Sequence, residues 1–354
     1  MPIKKFAHNA QLHLSSLLKI PVGRAHVHEL IAAAFGYRSA SSFGSQAVFT
    51  FSDISPSIPI NTVFLGERAL ELDYTIYAAN EISISLSTSL SAEKFRSIKI
   101  CDLISVLRDD ESWGVEGDAT LLAGLEAAAT RGNADAHYAI ALLNDTEVDE
   151  TQSSEHWYLL AMQGAVLTGA PKEWADNYAD KRVCDEKYSF HLKEATRLGN
   201  PLAKLDAADR FGDTNFFYDN LYPADVDPVQ AANLAIRLGR PKNALHWLTI
   251  SAERGDIESM RELIEAYDAS DLLKCWTWIY LAKLHDIDLT KGNYRAIHED
   301  GSDYDDDRGG AMFADGTDGI KLEKITAEQH AFAKKKASEL FLQNSENDLL
   351  VSGS

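Results

Sequence analysis

Cysteine is scarce: three residues in 354, at positions 101, 184 and 275, with no CxxC among them. That excludes a disulfide-stapled scaffold and a cysteine-rich zinc module, and it fits thiols kept in a reducing compartment. Long apolar runs are missing too. Nowhere do 18 apolar residues follow one another, and Met1-Pro-Ile-Lys-Lys-Phe-Ala-His-Asn-Ala offers no uninterrupted apolar stretch. The expectation is a cytoplasmic chain with no membrane span. Phosphate-cradling patterns of the GxxxxGK[ST] or GxGxxG kind do not occur, nor does a Gly-x-Ser-x-Gly elbow, and no cysteine stands at an electropositive helix start. The reading is of a protein without catalysis of its own, with no catalytic residue, no cofactor and no resident metal.

Positive charge is in short supply. Against 54 Asp and Glu stand 34 Lys and Arg, a formal net charge of −20. The deficit is uneven, because residues 1–50 hold Lys4, Lys5, Lys19, Arg24 and Arg38 against Glu29 alone. An acidic body repels nucleic acid and anionic membranes, so the expected partner is a protein, preferably a basic one.

What is present is helical periodicity. Residues 5–19, 24–35 and a short piece capped by Ser39 make an N-terminal three-helix module over 1–50, with Gly36 at a helix end. Residues 44–60, with Pro56 and Pro59, read as irregular, and 51–118 as linker with additional helices. Ile82-Ser-Ile-Ser-Leu-Ser alternates as a strand would, but the segment is assigned helical, and so is Ala92–Leu107, whose apolar residues fall at helical spacing. From about 119 to 290 a repeat emerges. Helix ends of the form Ala-x-x-x-Gly recur at Gly132 and Gly199, and one residue shorter at Gly164 and Gly255, the first three glycines in chain order 32 and 35 residues apart, the length of a helix-turn-helix unit. An insertion near 214–228 lengthens the last interval. An acidic Gly-rich loop follows over 291–320, and Thr326-Ala-Glu-Gln329 is a capping box opening a C-terminal helix over 321–345.

Ala134-Asp-Ala-His-Tyr-Ala-Ile-Ala-Leu-Leu143 with Ser154-Glu-His-Trp-Tyr-Leu-Leu-Ala-Met-Gln-Gly164, and Asn243-Ala-Leu-His-Trp-Leu-Thr-Ile-Ser-Ala-Glu-Arg-Gly255, resemble Sel1-like repeats, the bacterial relatives of tetratricopeptide repeats. Gly23–Ser39 resembles the opening module of some bacterial Sel1-repeat proteins of unassigned role. The resemblance implies an all-α fold, an α/α superhelical solenoid of hairpins with an N-terminal helical module, and the function of an adaptor or scaffold that binds protein.

Several constellations invite sharper chemistry. His26-Val-His28-Glu29 approaches the zinc-protease HExxH, but the position four after His28 is Ala32, so the histidines read as surface or packing residues. Asp303, Asp305 and Asp307 alternate as at an EF-hand start, with Arg308 where that loop needs Gly and Ala314 where it needs Glu. A divalent-cation-responsive protein is therefore an alternative reading, and a DNA-associated regulator using the basic first fifty residues is another. The residues expected to meet a partner are Phe216, Phe217, Tyr218 and Tyr222 in the insertion, Trp174 and Tyr178 on the repeat surface, and Asp303, Asp305, Asp306 and Asp307 in the acidic loop.

Overall fold

One joint recurs through the chain and follows from two residues. Where a helix must stop and the next begin at once, the chain reads Gly132-Asn133, Gly199-Asn200 and Gly255-Asp256. Each glycine takes a positive φ, +85°, +98° and +101°, which a Cβ disfavours and glycine does not. The following amide then turns back to a carbonyl of the finished helix, Asn133 to Ala128, Asn200 to Ala195 and Asp256 to Ser251, at 3.2, 3.0 and 3.1 Å. The same Asn or Asp caps the new helix by accepting from Ala136, Ala203 and Ser259, at 2.8, 2.7 and 2.7 Å. The expected turn glycines are borne out, and the joint is more specific than a glycine alone.

In a computed structural model the chain is described over residues 3–109, 117–145, 152–218, 226–305 and 310–351. It is 67% helical, in keeping with the expected all-α class, and divides into two compact units, Met1–Arg210 and Phe211–Ser354.

The first unit contains α1 (Ile3–Leu18), α2 (Arg24–Ala34), α3 (Ala40–Gln46), β1 (Ala47–Thr50), α4 (Thr62–Glu71), α5 (Ile76–Ala92), β2 (Arg96–Lys99) and α6 (Ile100–Arg108). It continues with α7 (Ala119–Thr130), α8 (Ala134–Leu143), α9 (Gln152–Met162), α10 (Ala170–Leu198) and α11 (Pro201–Phe211). Ile82–Ser87 is helical, within α5, as assigned. The two strands correct the sequence reading: residues 44–60 are not wholly irregular, and Ala92–Leu107 is not one helix. β1 and β2 pair antiparallel, Ala47 opposite Lys99 and Thr50 opposite Arg96. The ribbon lies between two apolar cores. Successive strand side chains point to opposite faces, so Ala47, Phe49 and Phe95 join the core of α1–α5, whereas Val48 and Ile98 join that of α6–α8, α10 and α11. With both faces covered, neither strand shows the apolar-polar alternation by which strands are usually recognised. Asp118 ties the ribbon to α7: its carboxylate accepts from Thr50 Oγ1 at 2.7 Å and Phe51 N at 2.8 Å while capping α7 through Thr120 and Leu121.

Two polar pairings cross the second core. Arg108 on α6 reaches Asp206 on α11 at 3.1 Å, and both hydrogen bond the hydroxyl of Tyr138, a fully buried side chain on α8. Between α8 and α10 the Nδ1 atoms of His137 and His191 lie 3.0 Å apart, so one ring donates and the other accepts. Burial, then His137 and Lys187, hold the His191 imidazolium below its ordinary range against the opposing pull of Glu194. The unfolded chain therefore binds the proton first, and stability that is complete above pH ~6.5 is lost as pH falls below it. Chemical denaturation from pH 7.5 to 5.5 is expected to show this loss, with a shallower slope in His191→Gln. An equal slope in that variant would assign the titration elsewhere.

The second unit holds α12 (Pro228–Arg237), α13 (Pro241–Glu253), α14 (Ile257–Glu262), α15 (Leu272–Leu284), β3 (Arg295–Ile297), β4 (Phe313–Asp315) and α16 (Ala327–Val351). α12 packs on α13, and α15 on α16. The capping box is formed, Thr326 N to Gln329 Oε1 at 2.9 Å and Gln329 N to Thr326 Oγ1 at 3.2 Å, but the helix it opens runs on to Val351, past the expected end. Buried Asp268 gathers Trp278 Nε1 at 3.1 Å and Lys274 Nζ at 3.4 Å. The acidic Gly-rich stretch contains a hairpin, β3 with β4, Arg295 opposite Asp315. Gly319 shows why glycine is needed there: a Cβ on it would stand 2.4 Å from the Thr290 carbonyl oxygen.

Candidate protein-binding surface

α10 is two helices in function. It starts after Gly169, with Pro171 in its first turn, and its later part buries Tyr188, Leu192 and Ala195 in packing on α8. Its earlier part buries only Ala175 and packs on α9. Among the described side chains of α9 none is buried. The sequence reading pairs Ala134–Leu143 with Ser154–Gly164 as the two helices of one repeat; α8 packs instead on α10, and apolar residues of α9 stay in solvent. Leu159 is 49% exposed, Met162 70%, Val166 93% and Trp174 43%.

The inner side is held by aromatics. Tyr158 and the half-buried Tyr178 sit 5.2 Å apart between ring centres, and Arg182 lies over Tyr158 while donating to its hydroxyl at 3.2 Å. From 154 to 182 the hairpin carries Glu155, Glu173, Asp176 and Asp180 against Lys172, Lys181 and Arg182. Exposed apolar side chains gathered on one hairpin are the pattern of a protein-binding patch.

The other expected partner-binding residues are placed differently. Phe216 and Phe217, expected at an exposed tip, are buried, 5% and 9% exposed. Phe216 stacks on Trp247 at 5.6 Å and 18°, so these rings belong to a core that attracts them more strongly than solvent exposure allows. Tyr218 alone of the three is exposed. Arg240 lies 4.7 Å from its ring centre and donates to its hydroxyl at 2.9 Å, which lowers the phenol's pKa. Asp303 faces Arg295 at 3.1 Å, and Arg295 also holds Asp315 at 3.0 Å. The Asp305 amide donates to His298 Nε2 at 3.1 Å. Tyr222, Asp306 and Asp307 lie outside the described residues. Among the described residues no three His, Cys, Asp or Glu side chains cluster as a metal site, and no helix is long and apolar enough to cross a membrane.

At the N-terminus the candidate chemistry turns into packing. His26 Nδ1 meets the Tyr74 hydroxyl at 3.0 Å, and Glu29 accepts from Arg68 at 2.9 Å and the Ala40 amide at 3.3 Å. α3 carries no cationic side chain, and its one aromatic, Phe43, is buried against Phe49.

Comparison with protein-family models, with curated proteins and with solved structures finds no match.

The sequence reading missed the exposed residues Leu159, Met162 and Val166. For Leu159 and Met162 the available cue was their place in a repeat-like helix, where apolar residues are assigned to a core by default; Val166 lies in the connection that follows it.

Proposed function

We propose that the chain is a non-catalytic adaptor of the Sel1-like solenoid class, and that the α9–α10 hairpin binds an amphipathic helix of a protein partner with basic flanks. The observation that carries this reading is the exposure of Leu159, Met162, Val166 and Trp174 on a hairpin whose first helix has no buried residue among those described. Each such side chain is worth about 1.5–3 kcal/mol when fully removed from water. A helix laid along the pair supplies that cover, and the chain's net charge of −20 favours a partner with basic flanks.

A photo-crosslinking residue in place of Met162 is expected to give one discrete protein adduct in cells. The adduct's partner, purified, is expected to bind the full chain at least tenfold more weakly when Leu159 is changed to Glu, an effect of about 1.4 kcal/mol or more. Leu159→Glu touches no core contact, so the thermal midpoint should not move. Absence of an adduct, or affinity indifferent to Leu159→Glu, would overturn the reading. An adduct of two copies of this chain would assign the face to self-association instead.

A further inference from the structure

The adaptor reading leaves unused the one part of the chain that is basic. There the first unit encloses a cavity of about 770 Å³, within the range of small-molecule pockets, ~300–1,000 Å³. Its base is apolar and buried: Ile31 and Ala32 from α2, Phe43 from α3 and Val48 from β1. Its open wall is α7, where Ala119, Ala123, Gly124 and Ala127 share one helix face and none carries more than a methyl group. That face comes so near the ribbon that a Cβ at Gly124 would stand 3.1 Å from Val48 Cγ1. The space exists because this helix presents backbone and methyls where larger side chains would fill it.

The rim is cationic. Arg131, the residue that closes the C-terminal end of α7, lines the cavity together with Lys4 of α1 and with His28 of α2, whose protonation burial disfavours, and no carboxylate lines it. Neither Lys4 nor Arg131 has a carboxylate partner among the described residues. Arg131 gives one donor to the Gly44 carbonyl oxygen, which sets the side chain across the end of the cavity, and a guanidinium has further donors to offer. In a chain of net charge −20, uncompensated cations at the mouth of an apolar cavity call for an anion with an apolar body.

We propose that this cavity binds an amphipathic carboxylate, its alkyl or aryl chain on the Ile31–Phe43–Val48 base and its carboxylate at the rim lined by Lys4, His28 and Arg131. A guanidinium matches a carboxylate in two parallel hydrogen bonds, and the chain gains by leaving water. This inference is independent of the α9–α10 surface.

The test is calorimetric titration of the full chain with decanoate and with decyltrimethylammonium, equal chains of opposite charge, both below their micelle concentrations. Decanoate is expected to bind saturably at one site, and the cation at least tenfold more weakly. The double change Lys4→Gln with Arg131→Gln is expected to weaken decanoate about tenfold. Ala123→Phe, placed at an exposed wall position, is expected to abolish binding with the unfolding midpoint unchanged, and Leu159→Glu to leave it intact. The proposal fails if decanoate does not saturate, if the two chains bind equally, or if Ala123→Phe and the double charge change both leave affinity unaltered.

Discussion

Asp206→Ala is expected to destabilise the chain by about 2–4 kcal/mol, because breaking a desolvated pair strands its partner. Arg108 would lose the carboxylate 3.1 Å away, and the Tyr138 hydroxyl, at the centre of the second core, would lose its acceptor. For a unit of this size each kcal/mol moves the midpoint by roughly 2–4 °C, so a fall of about 5–15 °C should appear by calorimetry. The cost comes from exposing the remainder of the network, not from a large net value of the pair, since both side chains retain some contact with water. Two comparisons separate these. Tyr138→Phe removes one hydroxyl and is expected to cost about 1–2 kcal/mol. The double change Arg108→Met with Asp206→Leu removes both charges at similar volume and is expected to recover most of the loss. If the double variant is as unstable as Asp206→Ala, the pair itself holds α6 to α11.

The second large effect separates a core from a surface within three consecutive residues. Phe216→Ala is expected to cost about 3–5 kcal/mol, the usual range for an aromatic removed from a packed core, because Phe216 stacks on Trp247 and both are buried. Tyr218→Ala loses only an exposed ring and its contact with Arg240, so its midpoint is expected to stay close to that of the unchanged chain. Urea denaturation of the full chain distinguishes the two. A small loss for Phe216→Ala would return the ring to the surface and restore it as a partner contact.

These placements redistribute the candidate site. Of the aromatics expected to meet a partner, Trp174 remains exposed and Tyr178 half-buried, both on the hairpin that also exposes Leu159, Met162 and Val166. In the insertion the surface role falls to Tyr218 alone among the described residues. Asp303 is tied to Arg295 across the β3–β4 hairpin and still faces solvent, so it keeps a negative surface without being free of a counter-charge.

The sequence by itself determined the local structure. Gly132-Asn133, Gly199-Asn200 and Gly255-Asp256 specify their joints because a positive φ and a side-chain cap involve only residues a few positions apart. The helical class and the capping box at Thr326 and Gln329 were legible for the same reason, whereas the local alternation of Ile82–Ser87 pointed to a strand and its helical assignment rested on the neighbouring segment. Tertiary structure decided everything that depends on what a residue meets across the fold. Ala47–Thr50 and Arg96–Lys99 are strands because each pairs with the other, and both faces of the ribbon are covered, which erases alternation from the sequence. Phe216 is core, while Leu159 and Met162 are surface, because Trp247 packs against the first and no described element buries the others. The cavity is a product of distance in the chain: four small residues of α7 are unremarkable on their own helix, and they enclose space only where α2, α3 and β1 stand opposite. Burial is a property of a neighbour, and a neighbour 50 or 100 residues away leaves no periodicity to read.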